Sequence, residues 1–273
     1  MRDKESYFIS QFSNKHIGDD GAVIDNYVYS KDLFFENVHF KRSWMSLYDI
    51  AYKSMLINIS DAIVMNAKPK YALLGIQIPS NFSKSKLKEL SNGFLDAAKA
   101  YDFEIIGGDT IGGELLNISI TLISHSDHPI YRNSVQIGDM VAFTGDLGSV
   151  KRDLEKLFAG EQISKQSKFI KPKLHGNFFY EAAPFIHSAL DISDGLSKEL
   201  SRLSQINKIS FAFNRNFGKD ILCSGEEYEI LFTFAPHNFD ILQKLAQKHS
   251  VPFTQFATVI KGSYLNTCPE NHF

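Results

Sequence analysis

The segment from residue 46 to 66 constrains the fold more than any other part of the chain. Ile50, Ala51, Ser54, Met55, Asn58, Ile59, Ala62 and Ile63 recur at helical spacing and form one broad face, which predicts a long helix buried along that side. Pro69 marks its exit. Asp61 falls inside this otherwise apolar face. An unpaired carboxylate there would be costly, so the position reads as functional rather than as filler.

Strand-like runs bracket this helix at 22–29 and 33–40 on one side and at 71–78 on the other, after a short helical run at 3–14. A second helix is expected from the capping hydroxyl of Ser83 to about Tyr101. Strands at 103–106 and 115–124 then flank a glycine-rich turn, GGDTIGG. A second block begins near residue 137, with a strand at 140–144, a turn at 145–148 and a helix at 149–158. The polar run at 165–172 holds no strong element. Helices at 177–186, 195–204 and 237–248 follow, with strands at 189–192, 209–213, 229–235 and 253–260. Strands alternating with helices predict a mixed α/β (α+β) fold, divided into domains 1–136 and 137–273 of the 273-residue chain.

Composition narrows the function. Lys and Arg number 29 against 31 Asp and Glu, a formal net charge of -2, which argues against a strongly basic nucleic-acid binder. The longest apolar run, near 71–78, is far shorter than a membrane span, and the N-terminus lacks a signal-peptide core. Two cysteines are too few for a disulfide framework or a four-cysteine zinc site and fit a reducing compartment. The expectation is a cytoplasmic protein that binds neither nucleic acid nor membrane.

Aspartates beside Gly, Ser or Thr recur at expected element ends: Asp19 and Asp20 in IGDDG, Asp32 in SKDL, Asp61 in NISDA, Asp109 in GGDT, and Asp191 and Asp194 in DISDG. Clustered carboxylates repel one another, and hard divalent cations relieve the repulsion through oxygen ligands, Mg²⁺ often bridging protein carboxylates to substrate phosphates. Neighbouring glycines let backbone N–H groups approach phosphate oxygens. The pattern implies phosphoryl or nucleotide chemistry with Mg²⁺. Each piece also has a plain reading. IGDDG is a common turn, DISDG is a strand end with a helix cap, and the 145–148 segment is an ordinary βα turn. His39 and Arg132 have packed or solvated readings of their own. No P-loop, H-E-x-x-H or C-x-x-C run is present.

Taken in order, the motifs IGDDGAVI, SKDLFFENVHF, DIAYKSMLINISDAIVMNAKP, IIGGDT, RNSVQIGDMVAFTGDLG, LDISDGLSKEL and SGEEYEILFTF resemble the thiamine-monophosphate kinase family of the aminoimidazole-ribonucleotide synthetase-like ATP-binding superfamily. The resemblance implies a two-domain fold whose N-terminal sheet pairs with that of a second copy in a homodimer. It also implies direct in-line transfer from ATP to thiamine monophosphate with several Mg²⁺ ions. Carried over by position, Asp20, Ser30, Lys31, Asp32, Asp61, Asp109, Asp191 and Asp194 match metal-binding positions, with Asp61, Asp109 and Asp191 central to catalysis. Gly108, Asp109, Arg132 and Ser193 match ATP contacts. His39, Glu226 and Phe273 match contacts to the second substrate, with Tyr264 an alternative to Phe273.

Two departures stand out. Where the family reads S-T-D-T, this chain has Ser30-Lys31-Asp32-Leu33, so any metal contact at Lys31 is left to its carbonyl. The family's S-G-G-E-D-Y-E appears one residue shorter, as Ser224-Gly225-Glu226-Glu227-Tyr228-Glu229. The rival readings are another ATP-dependent enzyme of the superfamily and a degenerate nucleotide-binding module.

Overall fold

A computed structural model describes residues 4–12 and 14–269; Phe273 lies outside them. Two five-stranded sheets organise the chain. The first contains β1 (Ala22–Ile24), β2 (Tyr27–Phe35), β3 (Lys68–Pro79), β4 (Glu104–Gly113) and β5 (Asn117–His125), in the order β1-β2-β5-β3-β4. Only β3 and β4 run parallel, joined through a helical crossover. The second sheet contains β6 (Met140–Thr144), β7 (Ser188–Asp191), β8 (Ile209–Phe213), β9 (Ile230–Phe234) and β10 (Phe253–Lys261), in the order β7-β9-β6-β10-β8, all antiparallel.

Following the short α1 (Lys4–Ile9), the long helix α2 (Leu47–Val64) is the predicted one. Ser46 caps it, its hydroxyl accepting from the Asp49 N–H. It packs on β2 and β5 of the first sheet and on β7 of the second, so it is a shared wall. Helix α3 (Lys84–Ala100), capped by Ser83, lies against α2. A Cβ at Gly93 would fall 2.3 Å from the Tyr48 carbonyl oxygen, so the two helices can approach this closely only at a glycine. Helices α4 (Ser149–Phe158), α5 (Gly176–Ala182), α6 (Leu196–Asn207), α7 (Lys219–Leu222) and α8 (Phe239–His249) belong to the second half.

Alternation along the strands assigns the faces. Ile118, Ile120 and Leu122 of β5 point into the core, with Val28 and Phe34 of β2. Tyr29, Leu33, Leu73 and Ile111 are exposed. In the second sheet, Phe232 and Phe234 join this main core, while Leu231 joins a second cluster with Leu196, Leu200 and Phe256. Both faces of β9 are therefore covered.

Three expectations need correction. The strand break expected near residues 30–32 falls instead at Asp25 and Asn26, where Asp25 takes φ 53 and closes a β1–β2 hairpin. The glycine-rich GGDTIGG run is an extended edge strand within β4 rather than a turn. There Gly108 takes φ 148, and a Cβ would fall 1.8 Å from the Leu74 carbonyl oxygen. Glycine composition signals a turn, but at this site it serves close strand approach. Finally, Cys223 and Cys268 are joined in a disulfide, against the expectation of two reduced thiols.

That bond pins the C-terminal segment along α6. Ser197 Oγ meets Tyr264 OH and accepts from the Thr267 N–H, and the Tyr264 N–H donates to Ser204 Oγ. With the cysteines at a sequence separation of 45, closing the loop in the unfolded chain contributes about 4 kcal/mol. Urea unfolding with and without a phosphine reductant should show a loss of that order. Equal midpoints would mean that the bond adds nothing.

Candidate active site

Four segments converge where α2 passes between the sheets. The loop before β1 brings Asp19 and Asp20, β2 brings Ser30 and Asp32, α2 brings Asp61, and the end of β7 brings Asp191. The five aspartates line a cavity of about 680 Å³ together with Lys31, His39, Arg132, Ser193, Asp194, Glu226 and Tyr228, and Ser30 is buried behind that lining.

Asp20, Asp61 and Asp191 each offer a carboxylate oxygen, and these atoms lie within 4.8 Å of one another. Burial, followed by the charges of Asp32, Asp191 and Asp20, pushes the Asp61 carboxyl well above the ordinary carboxylate range. Burial and then Asp20 and Glu199 do the same to Asp191, against the hydrogen bond that Ser60 Oγ donates to it at 2.8 Å. Asp32 is pushed up to about 6, mainly by burial and then by Asp20. Its backbone N–H donates to Asn58 Oδ1 at 3.1 Å. The cluster therefore pays heavily for its negative charge in the absence of a counter-ion.

Arg132 supplies the nearest protein cation. Its guanidinium grips Asp20 through both terminal and ε nitrogens, Nε donating at 3.0 Å, while its backbone N–H donates to Asp19 at 2.6 Å. Burial opposes the charge on Arg132, but the Asp20 carboxylate outweighs it. Burial also raises the Asp19 carboxyl.

The remaining site residues divide. Asp194 lines the cavity, yet its carboxylate is engaged by Arg202 at 2.5 Å and Lys198 at 3.5 Å, so it stands apart from the triad. Ser30 Oγ is buried and has no hydrogen-bond partner, on the same strand face as Asp32. The Lys31 ammonium points to the opposite face and donates to Ser119 Oγ (2.8 Å) and Thr121 Oγ1 (3.3 Å). His39 accepts the Phe35 N–H at Nδ1 (3.0 Å), which leaves Nε2 as the protonated nitrogen of the neutral ring. Ser193 takes the Glu226 N–H on its carbonyl at 2.6 Å.

Gly108 and Asp109 are not brought to this cavity. They sit exposed on β4, separated from β2 by β5 and β3, and Asp109 accepts the Thr110 N–H. Tyr264 is also elsewhere, packed against Phe211 and Phe213.

Of the residues not singled out from sequence, Arg202 lines the cavity, and Glu227 and Lys53 are buried behind it. Arg202 pairs with Glu199 at 2.7 Å as well as Asp194. Glu227, fully buried, accepts the Gly148 and Val150 N–H groups and Ser224 Oγ, and pairs with Lys168. Lys53, fully buried in α2, pairs with Glu226 at 2.6 Å. Periodicity gives no signal for Lys53, which lies on the side of α2 away from the face formed by Ile50, Ala51, Ser54, Met55, Asn58, Ile59, Ala62 and Ile63, and only the burial of α2 on nearly every side encloses it.

Comparison with known proteins fits this geometry. Residues 18–125 match the family model for the AIR synthase related protein N-terminal domain. A thiamine-monophosphate kinase of Methanocaldococcus jannaschii is 33% identical over 274 residues, covering 84% of this chain and 83% of the relative. The Nitrosopumilus maritimus thiamine-monophosphate kinase is 29% identical over 80% of this chain and 76% of its own length. Among solved structures, AaThiL complexed with AMPPCP and TMP superposes with a TM-score of 0.86 at 23% identity, covering 97% of this chain and 94% of that one.

Proposed function

The chain belongs to the thiamine-monophosphate kinase family, and on that premise we propose how its cavity performs the family's reaction. The enzyme phosphorylates thiamine monophosphate with ATP, giving thiamine diphosphate and ADP. The observation that carries the mechanism is the meeting of Asp20, Asp61 and Asp191 around one cavity with Arg132 at its wall.

The donor set fits Mg²⁺: hard carboxylate oxygens, costly to keep charged together, beside an orphaned buried Ser30 hydroxyl. Asp20, Asp32, Asp61 and Asp191 would hold it, with Ser30 and the Lys31 carbonyl beside them and Asp194 at the margin. Bound there, Mg²⁺ supplies the positive charge that phosphoryl transfer requires. The chain's own groups position the substrates. Arg132, half-committed to Asp20, faces the ATP phosphates, with Ser193 alongside. His39 presents an Nε2–H donor, and Glu226 faces the thiamine portion. The acceptor phosphate is already ionised, so alignment and charge neutralisation take precedence over base catalysis. No nucleophile–base pair is needed.

A homodimer and a cytoplasmic setting belong to the same proposal. The exposed side chains of Tyr29, Leu33, Leu73 and Ile111 give the first sheet an apolar face for a second copy. The remoteness of Gly108 and Asp109 from their own chain's triad is accounted for if they serve the partner's site. Residues 1–136 would then bind ATP and dimerise, and 137–273 would complete the substrate site. Among the described residues no helix is long and apolar enough to cross a membrane. In a reducing cytoplasm the Cys223–Cys268 bond would be open at rest.

The test is product analysis with ATP, Mg²⁺ and thiamine monophosphate, with free thiamine in parallel. Thiamine diphosphate and ADP should appear one for one, only from the monophosphate. ADP without thiamine diphosphate would move the acceptor elsewhere in the superfamily. Light scattering that found a monomer at micromolar concentration would remove the dimer.

A further inference from the structure

Lys53 has a 0% exposed side chain, and its ammonium contacts Glu226 Oε2 at 2.6 Å. It stands 4.1 Å over the Phe169 ring and 5.6 Å from the Phe34 ring. A buried ammonium survives only when paired, so Lys53 is committed to this contact. Its partner comes from the other half of the molecule, on the turn between α7 and β9. Glu226 takes φ 55 there, a backbone conformation that residues other than glycine rarely adopt and that surrounding contacts must hold in place.

Glu226 borders two cavities. One is the large site; the other is a pocket of about 100 Å³ bounded also by His39, Trp44, Phe158 and Phe169. Lys53 lines neither. With Oε2 held by the ammonium, the second carboxylate oxygen of Glu226 is left for whatever enters between the cavities. We propose that Lys53 is a positioning residue: it reaches across from α2 to fix Glu226, so that this carboxylate recognises a nitrogen-bearing aromatic ring. The inference rests on the kinase reading, in which that ring belongs to the acceptor and not to ATP. A carboxylate fixed in advance loses less freedom on binding, so the effect belongs to recognition of one substrate.

The experiment measures kcat and KM for both substrates in the wild type, Lys53→Met, Glu226→Gln and the double variant. Lys53→Met should raise KM for thiamine monophosphate by about tenfold or more and leave KM for ATP within about twofold. Because Lys53 acts through Glu226, the double variant should be no worse than Glu226→Gln alone. Should Lys53→Met fail to fold, the double variant, which buries no unpaired charge, carries the comparison with Glu226→Gln. A double-variant KM for thiamine monophosphate about tenfold above that of Glu226→Gln, or an equal rise for ATP, overturns the proposal. A wild type that converts no thiamine monophosphate would instead defeat the kinase reading. Wild-type turnover with an unchanged KM in Lys53→Met defeats only the positioning role.

Discussion

Asp61→Asn is expected to lower turnover at limiting Mg²⁺ by on the order of 10³-fold, because a metal-held charge contributes several kcal/mol to such a transition state. Asn keeps the shape but removes the central member of a carboxylate cluster that also contains Asp20 and Asp191. Near-normal turnover at limiting metal would end the assignment of Asp61 as a shared ligand.

The same substitution should stabilise the metal-free protein. Burial and then neighbouring carboxylates hold Asp61 well above its unfolded value, so in that window the folded state binds more protons than the unfolded one. Stability then falls as pH rises, fully present below the unfolded value near 4 and lost as pH climbs through the folded value. Asp32, raised to about 6, adds the same slope between about 4 and 6. In the presence of a chelator, Asp61→Asn should therefore melt above the wild type at pH 7, with the gap closing toward pH 4. A gap that widened on acidification would contradict the buried, repelling cluster.

Arg132→Ala should be the most damaging change to folding in this region. The guanidinium is 15% exposed and the Asp20 side chain 2%, so the truncation leaves a buried carboxylate unpaired, at about 3–5 kcal/mol. Saturating Mg²⁺ should recover part of that loss by neutralising Asp20, and Asp20→Asn in the same chain should recover part without metal. Urea unfolding of the single and double variants checks both. An Arg132→Ala protein as stable as the wild type would show that the pair contributes no net stability.

The periodic parts of the fold are legible from the residues alone. The apolar phase of α2 and the hydroxyl caps Ser46 and Ser83 announce two helices, and they form with those caps. What escapes is decided by distant partners. Residues 30–32 look like a break because they are polar. Yet Ser30 and Asp32 face a site built by α2 and β7, while Lys31 is satisfied by hydroxyls on β5. GGDTIGG reads as a turn because nothing local reports that Leu74 lies against Gly108. The cysteine pairing has no local signal across 45 residues.

For the site, sequence marks Asp20, Asp61 and Asp191 individually, and only the packing of α2 between the sheets brings them together. Asp194 shares the DISDG motif with Asp191 but is drawn aside by Arg202 and Lys198 on the following helix. Asp109 belongs to an edge strand, where strand order and not motif decides its neighbours.

In the oxidised protein, where the Cys223–Cys268 bond is closed, the disulfide also changes what a cut in the backbone can do. Residues 223–268 form a covalent ring that contains β9, α8 and β10, and β9 and β10 are both interior strands of the second sheet. A protease that nicks a turn within the ring, such as the one at 235–238, opens the chain without freeing either end. The two pieces still migrate together until a reductant is added, and the two interior strands remain covalently linked.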